Sequence, residues 1–139
     1  SLEKIADFKA AIIEAAKERL SDADLGKSVS LEMNLPPETI SLELITEIER
    51  LSPFGMGNES PVFYTTELKA IDFKAVGDGS HLKARFSNQE GSVILDAIGF
   101  GLANKMPLLY KDSVQLAFSL DINDWAGMQT PQLQLVDLK

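Results

Sequence analysis

"LSPFGMGNESPVF", residues 51–63, separates two kinds of pattern in this 139-residue chain. Before it, apolar residues recur every three or four positions; after it, they recur at every second position. The segment holds two prolines, two glycines and an asparagine, set among Phe54, Met56 and Phe63. Those three apolar residues read as packing residues rather than a cofactor box. Gly55, Gly57 and Asn58 do not make a phosphate loop, because the Lys-Ser/Thr pair and following helix of that motif are missing.

Upstream, Leu2, Ile5, Ala6, Phe8, Ile12, Ile13, Ala16 and Leu20 recur at helical spacing with Lys and Glu between them. This predicts an amphipathic helix over 2–20, ended by the polar residues 21–27. Residues 29–33, Val-Ser-Leu-Glu-Met, alternate as a short extended piece before Pro36-Pro37. Ser41 is placed to cap a second helix whose apolar stripe is Leu44, Ile45, Ile48 and Leu51. Pro53 is expected to end it.

Downstream, residues 62–76 predict one long strand with a bulge or bend near Ala70. Gly77-Asp78-Gly79-Ser80 is turn chemistry, and 81–86 and 93–100 alternate as strands across Asn88-Gln89-Glu90-Gly91. A short helical piece over 102–109 precedes the most regular alternation of all: Val114, Leu116, Phe118, Leu120 and Ile122. A loop over 123–131 leads to a last strand, 132–138. Three strands, a short helix and two strands match the five-stranded OB barrel. The expected fold is therefore mainly β, an OB barrel preceded by a helical segment, α+β overall. The expected division is 1–60 for the helical part and connector and 61–139 for the barrel.

Composition bounds the chemistry. The formal net charge is −8, which opposes bulk attraction to nucleic acid. Residues 1–60 carry 6 Lys+Arg against 12 Asp+Glu, whereas residues 61–139 carry 7 against 9, leaving room for a basic face on the barrel. With no cysteine there is no disulfide framework and no thiolate metal site, which suits a cytoplasmic protein. No apolar run is long enough for a membrane span, and no signal-peptide pattern is present. His81 is the only histidine, and Asp121 and Asp124 flank a strand end where acids commonly solvate a turn. No catalytic residues and no metal ligands are assigned.

Binding is better supported. His81, Lys83 and Arg85 share one face of the second strand, opposite Leu82, Ala84 and Phe86. Lys69 and Lys74 come from the neighbouring strand, and Trp125 lies beside Gly127, Met128 and Gln129 between the last two strands. OB barrels usually hold single strands on the face of strands two and three and in the loops joining strands 1–2 and 4–5. Lys69, Lys74, His81, Lys83, Arg85, Trp125 and Gln129 are thus the candidate nucleic-acid contacts. The same residues equally suit a solvated strand face, a barrel-closing tryptophan and plain hairpin chemistry.

"LSPFGMGNESPVF", preceded by "ISLELITEIER", resembles the junction in the RecJ family of single-strand-specific DNA exonucleases, where a helix ends in Pro-Phe-Gly-x-Gly-Asn and enters a C-terminal OB domain. "GSHLKARF", "LDAIGFG" and "VQLAFSLDINDWAGMQTPQLQLVDL" look like that domain's strands, with its Asn-x-Trp-x-Gly loop. "SLEKIADFKAAI" looks like a helix of the preceding DHHA1 domain. The family's Asp-His-His motifs, which hold divalent manganese or magnesium, have no counterpart here, nor does the glycine-rich motif of the DHHA1 domain. Ala126, Met128 and Gln129 stand where relatives often place arginines.

The resemblance implies a single-stranded-DNA-binding module of a 5′-to-3′ exonuclease of DNA repair and recombination. It implies no cofactor in this chain and manganese or magnesium in the parent enzyme. The implied partners are single-stranded DNA, upstream DHH and DHHA1 domains and, as a candidate, single-strand-binding protein. The alternative is an architectural or protein-interaction barrel. The resemblance also implies that Pro53, Phe54, Gly55, Gly57 and Asn58 form a rigid elbow: Pro53 stops the helix, the glycines adopt angles other residues resist, and Phe54 packs the turn onto its neighbours.

Overall fold

The computed structural model describes residues 2–20 and 28–139; the polar segment expected to end the first helix lies outside the described residues. Helix α1 (Leu2–Arg19) forms at the predicted place. Its stripe of Ile5, Phe8, Ile12 and Ile13 remains exposed. Residues 32–35 run extended alongside the start of the first strand, with Glu32 N–H donating to the Val62 carbonyl and Leu35 N–H to that of Tyr64. A 3₁₀ turn (Pro37–Thr39) follows, which the Pro36-Pro37 pair starts by fixing φ.

Helix α2 (Leu42–Glu49) begins where Ser41 Oγ accepts from Leu44 N–H at 3.2 Å, the cap expected from sequence. It ends at Glu49, four residues ahead of Pro53. The last turn tightens, with Leu51 N–H bonding Ile48 O and Ser52 N–H bonding Glu49 O.

The strands are β1 (Phe63–Val76), β2 (His81–Ser87), β3 (Ile94–Gly99), β4 (Val114–Trp125) and β5 (Met128–Leu138), with a 3₁₀ helix (Ala103–Tyr110) between β3 and β4. They close a barrel in the order β1-β2-β3-β5-β4. Every pairing is antiparallel except β3 with β5, as the OB topology requires. The bulge expected near Ala70 is present: Ala70 pairs with Phe86 and Asp72 with Arg85, leaving Ile71 as the extra residue. It lets one long strand bend to join β2 on one side and β4 on the other.

One sequence expectation fails at the far end of the barrel. Residues 123–131 are not a loop, because β4 and β5 continue as a ladder to the Trp125–Met128 pair. Only Ala126 and Gly127 turn the chain, with φ of 53° and 80°. Two consecutive positive values match the type I′ hairpin turn.

Inward alternation builds the core: Leu68, Leu82, Phe86, Leu116, Phe118 and Leu133 are fully buried. Each contributes ~1.5–3 kcal/mol by leaving water. Leu35 and Ile40 belong to the same cluster, with Leu44 and Ile48 packed against it. The boundary expected between residues 60 and 61 therefore divides a single packing unit. Residues 35–48 seal the barrel because its interior offers apolar surface that their own short helix cannot bury alone.

Candidate nucleic-acid interface

Register partners on adjacent strands present their side chains to the same face of a sheet. Outward from the barrel, one row runs Lys74, Lys83, Ile98, Gln134 and Ser119. The next runs Asp72, Arg85, Asp96, Gln132 and Asp121, about 7 Å away by strand geometry. The predicted cations thus point outward together but do not form one continuous stripe. Lys74 and Lys83 are opposite one another; Arg85 sits between carboxylates, with its Nε 3.5 Å from Asp96 Oδ1. Lys69 pairs with Ser87, beyond the acidic row and across the bulge.

The β4–β5 hairpin brings the tryptophan to this face. Lys83, Asn123, Trp125, Met128 and Thr130 line an open groove of about 370 Å³. Trp125 is 77% exposed, so its ring neither closes the barrel nor fills the core. Gln129 is drawn to its own hairpin, where its Nε2 donates to Asp124 Oδ2 at 3.2 Å. A groove of about 380 Å³ lined by Val29, Leu31, Tyr64 and Leu116 among others shares none of these residues.

His81 has a different setting from Lys83. Its Nδ1 accepts the Gly101 N–H at 3.1 Å, fixing the acceptor nitrogen, and lies 3.1 Å from Ser80 Oγ. The ring meets Phe100 edge-on at a centroid distance of 5.3 Å. Sequence reading passed over Phe100, which is 59% exposed. The available signal was its parity: Asp96 and Ile98 already mark the outward positions of β3, and Phe100 is the next. The turn before His81 is set by Asp78, whose carboxyl is held below the usual range by Ser80's hydroxyl and then its N–H.

The connector motif resolves into defined jobs. Gly55 and Asn58 exchange backbone hydrogen bonds of 2.8 and 3.0 Å, closing a tight turn over Met56 and Gly57. Gly57 has φ +85°, whereas Gly55 has no positive φ; only one of the two glycines adopts the angle that side chains resist. Asn58 Nδ2 donates to the carbonyls of Leu51 and Pro53 at 2.9 and 3.0 Å. Phe54 is half-buried, but Met56 is fully exposed and packs nothing, contrary to expectation.

A family model described as the RecJ OB domain matches residues 31–137. The chain belongs to the RecJ family. It is 31% identical over 137 residues to the single-stranded-DNA-specific exonuclease RecJ of Haemophilus influenzae, covering 97% of this chain and 24% of that protein. For the RecJ of Bacillus subtilis the identity is 26%, with 97% and 17% covered. The chain therefore spans a quarter or less of the length of these curated relatives. The crystal structure of RecJ from Thermus thermophilus in complex with Mn²⁺ superposes with a TM-score of 0.73 at 25% identity, covering 99% of this chain and 19% of that one. The complex with Mg²⁺ gives 0.68 at 26% identity, covering 94% and 19%. Among the described residues here, no three His, Cys, Asp or Glu side chains converge to hold a metal ion. Likewise, no described helix is long and apolar enough to cross a membrane.

Proposed function

We propose that this chain is the single-stranded-DNA-binding module of a RecJ-type 5′-to-3′ exonuclease acting in DNA repair and recombination. The observation that carries the reading is the meeting of Lys83 and Trp125 in one open groove, with Lys74 opposite Lys83 in register. Two ammonium groups suit backbone phosphates, and an exposed indole suits a base, whatever its identity. Phe100, held edge-on by His81, offers a second ring near the same sheet face. Catalysis belongs to upstream DHH and DHHA1 domains, which would bind the manganese or magnesium, with α1 as the end of the DHHA1 part. The enzyme works in the cytoplasm, where single-strand-binding protein is a candidate partner.

Fluorescence anisotropy with a labelled oligo-dT tests the module. Binding at low salt should weaken with salt at a slope of about −1.4 for two phosphate contacts on a single strand. Trp125→Ala should cost ~1–3 kcal/mol. No binding at low salt would refute the reading. The competing assignment, a barrel that only positions the catalytic domains, draws on the net charge of −8. It expects neither the salt slope nor the tryptophan effect.

A further inference from the structure

We infer that Asp96 withholds Arg85 from the nucleic-acid track, so that the sheet grips a strand at the Lys74–Lys83 row and Asp96 sets how strong that grip is. The inference rests on the binding function proposed above. Arg85 lies on the outward face of β2, two positions from Lys83, where sequence logic makes it an equal phosphate ligand. Its surroundings differ. Asp72 is its register partner on β1 and Asp96 its partner on β3, and the Asp96 carboxylate lies 3.5 Å from its Nε. Asp121 extends the same row on β4. Among its register partners Lys83 meets no carboxylate: they are Lys74 and Ile98.

The two side chains of the Arg85–Asp96 pair are 47% and 39% exposed, so the pair is reachable from solvent rather than locked inside. A phosphate engaging Arg85 would lie beside the carboxylates of Asp96 and Asp72. A single negative charge ~7 Å from a phosphate lowers affinity about threefold in a water-like dielectric at low salt. The acidic row thus borders the basic row, and along β4 Asp121 lies between Ser119 and the hairpin end that carries Trp125. A grip limited to one basic row is one that a moving strand can leave.

The test is a double-mutant cycle on the 139-residue chain, read by oligo-dT anisotropy across a salt series. Asp96→Asn should tighten binding about threefold and steepen the salt slope by about 0.7, the signature of one added phosphate contact. Arg85→Gln should then weaken binding at least about threefold more in the Asp96→Asn background than in the wild type. Strictly additive effects, or no tightening by Asp96→Asn, would overturn the inference while leaving salt-dependent binding and the loss on Trp125→Ala intact. Absence of any binding by the wild type would sink the underlying function as well, and the two failures are therefore distinct.

Discussion

Replacing each glycine of the connector by alanine should move stability in opposite directions. Gly57 has φ +85°, a conformation that costs a residue with a Cβ about 1–2 kcal/mol. No atom lies within 4 Å of the Cβ it would gain, so no clash adds to this backbone cost. Gly55 also has free space around it but no positive φ. There an added methyl group mainly restricts the unfolded chain, which stabilises by about 0.4–1 kcal/mol. The unfolded-chain effect is common to both positions, so the difference between Gly55→Ala and Gly57→Ala should be about 1–2 kcal/mol. Urea unfolding followed by far-ultraviolet circular dichroism can resolve it, provided the slope with denaturant is the same for both variants. Equal midpoints would show that the turn over Met56 and Gly57 is not held as described. A destabilised Gly55→Ala would show that its own backbone, not that of Gly57, carries the constraint.

Four further outcomes can be measured. Asn58→Asp should destabilise more than Asn58→Ala, because a carboxylate cannot donate to the Leu51 and Pro53 carbonyls and instead repels them; the loss for alanine should be ~1–2 kcal/mol in the same unfolding assay. Ala126→Asn should raise stability by about 0.5–1 kcal/mol, since Asn-Gly suits the two positive φ values better than Ala-Gly; calorimetry should show a higher Tm. Phe118→Ala should cost ~3–5 kcal/mol by emptying a fully buried site against Phe63, read as a large fall in urea midpoint. Finally, Lys105 donates to Asp137 and holds its carboxyl below the usual range, so the folded state favours the ionised form. That contribution is complete above the ordinary carboxylate value of ~3.9 and disappears as pH falls through the lowered one. Asp137→Asn should therefore be less stable than wild type at neutral pH by ~0.2–1 kcal/mol, with the gap closing in acid; a gap that widened would refute the assignment.

Alternation made most of the barrel legible because each strand has one buried and one exposed face. His81–Ser87 and Val114–Leu120 show this plainly, and even the bulge at Ile71 left a break in the pattern. The same physics explains the misreading at the hairpin. From Asn123 to Thr130 neither face reaches the core, so no hydrophobic period remains. Candidate residues were legible by parity, whereas their charge environment was not. Arg85 meets Asp96 through strand pairing, and His81 meets Gly101 and Phe100 across the barrel end, relations that spacing along one strand does not contain. Gly55 and Gly57 look alike in sequence, and only the turn between them decides which one needs to be glycine.

β5 is clasped on both sides, by β3 in parallel and by β4 antiparallel, and it follows every other strand in the chain. During synthesis, then, β3 and β4 emerge with bare edges that nothing made so far can satisfy. Closure must wait for the final ladder, and a ribosome stalled before residue 128 would leave two unpaired borders open to stray strands. Emergence of residues 128–138, rather than of any earlier strand, is thus the step that covers both borders.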